Sequence, residues 1–117
     1  MPHTDENCIF CKLANGIIPT EFVYESERIC AFKDVSPKAP VHILIVPKKH
    51  IDSLQTASEE DRGILAEILF AATEIARTFG VSESGYRVIT NIGEDGGQSV
   101  HHLHFHVIGG RKLLLDI

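Results

Sequence analysis

The sequence predicts an α+β fold: an antiparallel sheet of about five strands, with one long and one short helix packed on one side of it. The predicted elements follow one another as helix, strands, long helix and strands, without the alternation of strand and helix that builds a parallel sheet. The chain has 117 residues, of which 44% are apolar and 23% are charged. These values fit one domain over residues 1–117 with a buried core.

The first half of the chain contains the short helix and three strands. Asn7 is a suitable N-cap for a helical turn over residues 8–14. The apolar stretches 22–25 and 29–32 flank a short polar turn and predict a hairpin. After a connection that two prolines make rigid, the β-branched run 41–46 predicts a central strand.

The long helix is the clearest element. Ser58 and Asp61 match a capping box, and Gly80 ends a run of apolar residues at helical spacing. Two more strands are predicted over residues 86–90 and 103–108, on either side of a loop rich in glycine.

Composition and charge exclude several classes of protein. The uninterrupted apolar stretches, such as residues 43–46, are far shorter than the ~18 residues of a membrane-spanning helix. The net charge of −5 offers no general attraction for a phosphate backbone, so we expect no nucleic-acid partner. The polar first residues do not resemble a secretory signal, and three cysteines, an odd number, fit a reducing compartment. We therefore expect a cytoplasmic protein.

Four of the seven histidines lie within residues 101–106. On a strand, residues two apart point the same way, so His102, His104 and His106 share one face while apolar residues occupy the other. We expect the apolar face to enter the core and the three imidazoles to stand on an open polar face. A core has no need of three histidines at this spacing, so the pattern indicates chemistry.

Two kinds of chemistry could use such a row. Binding one metal ion is strained, because His102 and His106 are ~13 Å apart along a strand, whereas zinc–nitrogen bonds are about 2 Å long. Nucleophilic catalysis fits better, since one imidazole can attack an electrophile while its neighbour moves a proton or donates to the developing charge. The preceding loop favours phosphorus as the electrophile, because its glycines expose backbone N–H groups and Gln98 and Ser99 add side-chain donors.

The segment from His102 to Ile108 also resembles a known family signature. It matches the histidine triad (HIT) pattern, in which three histidines alternate with apolar residues, and the resemblance to the Hint branch extends through residues 31–40, 42–51 and 95–100. The resemblance implies a two-layer α+β fold and a homodimer whose sheets join across the interface. It also implies hydrolysis of purine nucleoside 5′-phosphoramidates through a covalent nucleotidyl-histidine intermediate, with no cofactor needed for catalysis.

The resemblance assigns catalytic roles position by position. His104 is expected to be the nucleophile toward the α-phosphorus, and His106 to hydrogen-bond the phosphate. His102 is expected to fix the strand and the tautomer of His104, and His42 to support the triad from the neighbouring strand. Ser99 is expected to contact the phosphate and assist the departing amine.

The same resemblance places a purine nucleotide such as AMP or GMP. Asp34 is expected to accept the ribose hydroxyls and Asn91 to contact the ribose or phosphate; a capping or turn role is the alternative for both. Gly97, Gln98 and Ser99 are expected beside the phosphate. The apolar slot for the purine corresponds to residues that the pattern alone assigns to the core: Phe10, Leu13, Ile18, Phe32 and Val35.

Two features depart from the Hint pattern. Position 101 is histidine where that branch usually has tyrosine, and residues 112–117 lack the tryptophan found in many relatives. In the family this tail reaches toward the partner subunit's site, so a tail without tryptophan affects which leaving group the resemblance can predict.

Cys8 and Cys11 form a C-x-x-C pair. A redox role is disfavoured because no thioredoxin-like strand precedes the pair. Structural zinc is the stronger interpretation, since His50 and His102 can complete a tetrahedral site, and similar bacterial HIT proteins bind zinc in this manner. Buried free thiols are the alternative.

Three functions stay open from the sequence. The first is a nucleoside phosphoramidase of the Hint type. The second is a diadenosine polyphosphate hydrolase from another HIT branch, which residues 95–97 and 109–111 disfavour. The third is a nucleotide-binding or protein-interaction module whose catalysis is incidental.

Overall fold

The computed structural model describes residues 7–114, so residues 1–6 and 115–117 lie outside the described part of the chain. Neither α-helix within this range has the length and apolar composition needed to cross a bilayer. Two short 3₁₀ turns, Leu54–Thr56 and Glu59–Asp61, precede the long helix. The helices and strands are, in chain order, α1 (Ile9–Ala14), β1 (Tyr24–Glu25), β2 (Ile29–Lys33), β3 (Val41–Pro47), α2 (Arg62–Thr78), β4 (Tyr86–Ile89) and β5 (Phe105–Gly109).

The five strands form one antiparallel sheet in the order β1-β2-β3-β5-β4. This confirms the predicted α+β class and the predicted number of strands. β3 is central, and it pairs with β5 so that His42 lies opposite Ile108 and Leu44 lies opposite His106. The pairing brings His42 and His106 onto the same face of neighbouring strands.

The long helix α2 covers one face of the sheet. The predicted capping box lies on the 3₁₀ turn Glu59–Asp61, which leads directly into α2, and in it the Ser58 N–H donates to the Asp61 carboxylate at 2.9 Å. Gly80, just past its end, has a φ of 76°, a left-handed conformation that glycine adopts without strain. The core between α2 and the sheet includes Ile29, Ala31, Ile43, Ile45, Ile64, Ile68, Ala72, Ile75, Leu103, Phe105 and Val107.

The short helix α1 lies on the opposite face, so the prediction that both helices share one side of the sheet is wrong. The strands β2 and β3 are apolar on both faces, and the second face also has to be removed from water. The second core consists of Cys8, Phe10, Cys11, Ala14, Cys30, Phe32, Leu44 and Val46.

The strands and the start of α1 differ from the predicted boundaries by one or two residues, and two of these differences have a visible cause. The N-cap of α1 is Cys8 rather than Asn7, and the Cys8 sulfur accepts a hydrogen bond from a backbone N–H three residues later at 3.2 Å. β5 begins at Phe105, because the N–H of Leu103 donates to the carbonyl of Ile51 at 2.6 Å instead of pairing with a neighbouring strand. Side chains still alternate between the two faces of the sheet in the extended segment before β5, so the three triad histidines lie on the same face.

Candidate active site

The three triad histidines lie on the sheet face that α1 covers. His102 is completely buried and His104 is 4% exposed, so the expectation of an open polar face is wrong. The cause is α1, which places the ring of Phe10 edge-on to His104 with the ring centroids 5.0 Å apart. His104 and His106 both line a cavity beside this helix.

Hydrogen bonds assign the proton of neutral His104 to Nδ1. This atom lies 2.7 Å from the carbonyl oxygen of His102, and a carbonyl can only accept. The Nε2 atom therefore has a free lone pair. The Thr90 hydroxyl holds the same segment by donating to the carbonyl of His104 at 2.9 Å. His104 thus has the tautomer that a nucleophilic imidazole needs.

His106 has the opposite tautomer. The Lys38 N–H donates to Nδ1 of His42 at 3.0 Å, so the proton of neutral His42 is on Nε2. That atom donates to Nδ1 of His106 at 2.9 Å, which leaves the proton of neutral His106 on its Nε2. His106 therefore presents a donor beside the acceptor of His104, with the two ring centroids 5.1 Å apart. One ring can attack an electrophilic atom while the other binds an oxygen attached to it.

Burial keeps the supporting imidazoles neutral. Burial, with repulsion from the rings of His104 and His42, lowers the pKa of His106 to about 4. Burial also lowers the pKa of His42, although the nearby Asp34 carboxylate, 3.4 Å from Nε2 of His42, opposes this shift. Both rings are therefore neutral at pH 7, as their hydrogen-bond roles require.

Acid should destabilise the protein through these histidines. A histidine in the unfolded chain has a pKa of about 6.5, so between roughly pH 6.5 and about 4 the unfolded chain binds a proton that folded His106 does not. The stability from neutral His106 is present above this window and is lost as the pH falls through it. Urea unfolding at each pH, with a chelator present, should give a shallower pH slope for His106→Gln than for the wild type. Identical slopes would contradict this role of His106.

Two cavities meet at the triad. The smaller, of about 530 Å³, is lined by Ile9, Phe10, Leu13, Thr20, Phe32, Lys33, Asp34, Val35, Leu44, Ser99, Val100, His104 and His106. The larger, of about 780 Å³, is lined by Asp34, Ser36, Lys38, His42, Arg87, Ile89, Asn91, Gly96, Ser99, His106 and Ile108. Asp34, Ser99 and His106 line both and mark where the two spaces join.

Most of the residues expected to bind substrate line these cavities. Of the expected purine slot, Ile18 is absent from the described lining of the smaller cavity, which contains the other four members: Phe10, Leu13, Phe32 and Val35. Asn91 lines the larger cavity, and Asp34 lies at the junction.

The glycine loop is organised differently from the expectation. The N–H of Gly97 donates to a carbonyl three residues earlier at 3.0 Å, and the N–H of Gln98 donates to the carbonyl of Gly93 at 3.0 Å. The Gln98 amide group also donates to the carbonyl of Asp52 at 2.7 Å. Gly97 and Gln98 therefore hold the loop together and are not among the described residues of either lining, whereas Ser99 lines both cavities.

Sequence reasoning missed several residues of the site. Leu44 lies two residues from His42 on β3, so strand alternation could have assigned it to the triad face. Arg87 and Ile89 alternate in the same way on β4 and line the larger cavity. No sequence signal distinguishes the Thr90 hydroxyl, whose role depends on a contact across the fold.

Four residues distant in sequence converge beside α1. The sulfurs of Cys8 and Cys11 and the Nδ1 atoms of His50 and His102 all lie within 4.8 Å of one another. Nδ1 of His102 is 3.2 Å from the Cys8 sulfur and 3.3 Å from the Cys11 sulfur, and Nδ1 of His50 is 3.1 Å from the Cys11 sulfur. Sulfur and nitrogen ligands of a tetrahedral zinc ion are about 3.5 Å apart, so both the donor set and its spacing fit zinc.

The outer nitrogen of each of these two rings is also fixed. Nε2 of His102 donates to the carbonyl of Pro47 at 2.8 Å, and Nε2 of His50 donates to the Asp52 carboxylate at 2.7 Å. Each Nδ1 lone pair therefore points toward the cysteine sulfurs. Zinc-bound histidines typically have such a carbonyl or carboxylate behind them.

A second group, Asp34, His42 and His106, also converges within 4.8 Å. Here the facing ring nitrogens bind each other, since His42 donates to His106 while its Nδ1 accepts from the backbone of Lys38. The lone pairs do not converge on one point. This side of the triad is suited to proton and phosphate chemistry rather than to a metal ion.

Comparisons with known proteins identify the family. Residues 7–113 match the family described as scavenger mRNA decapping enzyme C-term binding. The chain is 43% identical over 104 residues to Protein HitA of Neisseria gonorrhoeae, covering 89% of this chain and 96% of that protein. It is 45% identical over 108 residues to an uncharacterized HIT-like protein of Synechococcus elongatus, covering 92% and 94% of the two chains.

Solved structures agree with these relatives. A HIT family hydrolase from Clostridium thermocellum superimposes with a TM-score of 0.92 at 46% identity, covering 97% of this chain and 99% of that one. A histidine triad protein from Clostridium difficile gives a TM-score of 0.90 at 49% identity, covering 94% and 96%. The chain therefore belongs to the histidine triad superfamily.

Proposed function

We propose that this protein hydrolyses purine nucleoside 5′-phosphoramidates, cleaving the phosphorus–nitrogen bond through a nucleotidyl intermediate on His104. The observation that carries the proposal is the pair of opposite tautomers, with the lone pair of His104 Nε2 beside the N–H donor of His106. Family membership supports it, as does the likeness to structures named HIT family hydrolases.

In the first step, Nε2 of His104 attacks the α-phosphorus and the bond from phosphorus to the amine nitrogen breaks. The Nε2–H of His106 donates to a non-bridging oxygen, where negative charge grows. The ring of His104 becomes positive, and the carbonyl of His102 stabilises it through the Nδ1–H bond. The departing amine takes a proton relayed from solvent through the Ser99 hydroxyl, which lines both cavities.

In the second step, water enters where the amine has left and attacks the phosphorus. The bond from phosphorus to Nε2 breaks, the water proton passes to solvent, and the nucleoside monophosphate is released. His104 returns to its neutral tautomer. Because both steps use only imidazoles, a hydroxyl and water, we infer that catalysis needs no cofactor.

In this proposal the nucleoside occupies the smaller cavity. The rings of Phe10 and Phe32 meet edge to face at 5.8 Å and offer an apolar wall to a purine. Asp34, at the junction of the cavities, accepts the ribose hydroxyls in this proposal, and Asn91 contacts the ribose or phosphate from the larger cavity.

Asp34→Asn should weaken the binding of ribonucleotides selectively. A hydrogen bond to a carboxylate is worth ~1.5–3 kcal/mol, which corresponds to about tenfold or more in Kd. Calorimetry should show AMP binding at least about tenfold more weakly to the variant, with 2′,3′-dideoxy-AMP binding wild type and variant alike. Equal losses for both nucleotides would instead assign Asp34 to capping, since it accepts the Ser36 N–H at 2.8 Å.

A second candidate is a diadenosine polyphosphate hydrolase, in which the same nucleophile cleaves a phosphoanhydride bond. The larger cavity, which continues past His106, offers space for the second nucleotide. Turnover of adenosine 5′-phosphoramidate against diadenosine tetraphosphate separates the two activities. Tight AMP binding without turnover of either would favour a nucleotide-binding module.

We also propose that Cys8, Cys11, His50 and His102 hold a structural zinc ion. Four protein ligands leave no open position for water or substrate, so the ion stabilises the fold rather than the reaction. It ties α1 to the segment after β3 and to the start of the triad.

We further propose a homodimer whose sheet continues through β4. This strand forms one edge of the sheet, and its outer side has no neighbouring strand among residues 7–114. An open edge pairs readily with a second strand, and Val88 on β4 is 39% exposed. Light scattering should give twice the mass of the chain, and the mass of one chain would contradict the proposal.

A further inference from the structure

The larger cavity extends from the triad toward the edge strand β4. Ile89 lies opposite His106, and Arg87 lies opposite Ile108, so all four share the triad face. Arg87 is diagonal to His106, which places their α-carbons about 7–8 Å apart. The smaller cavity lies over β2 and β3 instead. A substrate with its base there and its phosphorus at the triad directs its leaving group toward β4.

Two cations line this space and a third lies beside it, although the whole chain carries a net charge of −5. Among the described lining residues the one carboxylate is Asp34, at the junction with the smaller cavity. Lys38 and Arg87 line the larger cavity, and Arg111 joins them around an adjoining depression of about 250 Å³. The Arg87 guanidinium donates to the carbonyl of Leu114, and the Arg111 guanidinium donates to the carbonyl of Lys38 at 2.8 Å. These carbonyls orient the guanidinium groups without neutralising them. Within residues 7–114, no carboxylate forms an ion pair with any of the three cations.

We propose that the larger cavity binds the leaving group, and that Lys38 and Arg87 select leaving groups with a negative charge, carried by a carboxylate or a phosphate. This inference rests on the proposed function, because it places the phosphorus that His104 attacks between the two cavities. When the phosphorus–nitrogen bond breaks, the amine leaves with a proton, and its anionic substituent keeps its charge and its contacts with the cations. Attraction between charges is stronger in a partly enclosed cavity than in bulk water, so a charged leaving group is favoured over a neutral one of the same shape.

Two adenosine 5′-phosphoramidates test this inference. The glycine adduct has a carboxylate, and the glycinamide adduct is a neutral molecule of nearly the same shape. We expect wild-type kcat/KM to be about fivefold or more higher for the glycine adduct, with the advantage shrinking as salt is raised.

Variants test which residues give the glycine adduct its higher kcat/KM. Lys38→Gln and Arg87→Gln should reduce the ratio of kcat/KM between the glycine and the glycinamide adducts, and Arg87→Lys should retain most of this ratio. Lys12→Gln is the matched control, since this lysine of α1 is absent from the described lining of both cavities. If a variant fails to fold, the wild-type ratio and its salt dependence still decide the question.

The outcomes separate the inference from the proposed function. Equal kcat/KM for the two adducts in the wild type would overturn the inference and leave the phosphoramidase function intact. Failure to cleave either adduct or adenosine 5′-phosphoramidate would contradict the function itself. The adenosine 5′-phosphoramidate of O-phosphoethanolamine identifies the source of the charge, since it has a phosphate and contains the same phosphorus–nitrogen bond. A kcat/KM higher than that of the glycine adduct, and reduced in the same variants, assigns the cavity to phosphate, and a lower kcat/KM assigns it to a carboxylate.

Discussion

His104→Ala should reduce turnover of adenosine 5′-phosphoramidate by at least about 10⁴-fold, because the variant lacks the nitrogen that forms the covalent intermediate. His106 cannot take over, since its Nε2 carries a proton and its Nδ1 accepts from His42. Steady-state release of AMP measures the loss. In the wild type, rapid quenching followed by peptide mass spectrometry should locate the nucleotidyl group on His104.

The same variant should still bind AMP, which separates catalysis from folding. His104 is 4% exposed and contacts Phe10, so its removal leaves a small cavity beside α1, contrary to the expectation of a surface histidine. We expect a modest loss of thermal stability and measurable AMP binding by calorimetry. His106→Gln is the matched comparison, because it should slow turnover yet still form the intermediate. A nucleotidyl group on another histidine would contradict the assignment of the nucleophile.

Removing zinc should lower the melting temperature by roughly 10 °C, because the binding free energy of a site absent from the unfolded chain adds to the folding free energy. The four ligands join α1, the segment after β3 and the start of the triad, so the metal-free protein loses a link between three distant segments. Elemental analysis of protein purified without added metal should give about one zinc per chain. Melting with and without a chelator measures the shift.

Cys11→Ser provides the control for chelation. The variant should melt at a lower temperature than the wild type, and adding a chelator to it should change little. If the variant does not fold, the wild-type melts with and without chelator still test the site. Metal-free purified protein with an unchanged melt would mean that Cys8 and Cys11 are buried thiols that donate to His102 and His50.

The faces of the sheet could be predicted from the sequence alone. Alternation from His102 to Val107 places the apolar residues against α2 and the histidines on the other side, as the structure has them. The sequence also predicted the capping box at Ser58 and Asp61 and the end of the long helix at Gly80. Each of these features depends on residues close together in the chain, whose geometry follows from a fixed repeat of two or 3.6 residues.

The chemistry of the site was decided by contacts between distant segments. Helix α1 packs on the second apolar face of the sheet and buries His104, and the backbone of Lys38 sets the proton on His42 and so the donor on His106. The convergence of Cys8, Cys11, His50 and His102, the proposed zinc ligands, and the gathering of cations near β4 likewise depend on which elements become neighbours. Periodicity assigns a residue to a face, but it carries no information about which strand or helix meets that face. Only the tertiary structure could therefore settle the burial of the triad, its proton positions and its surroundings.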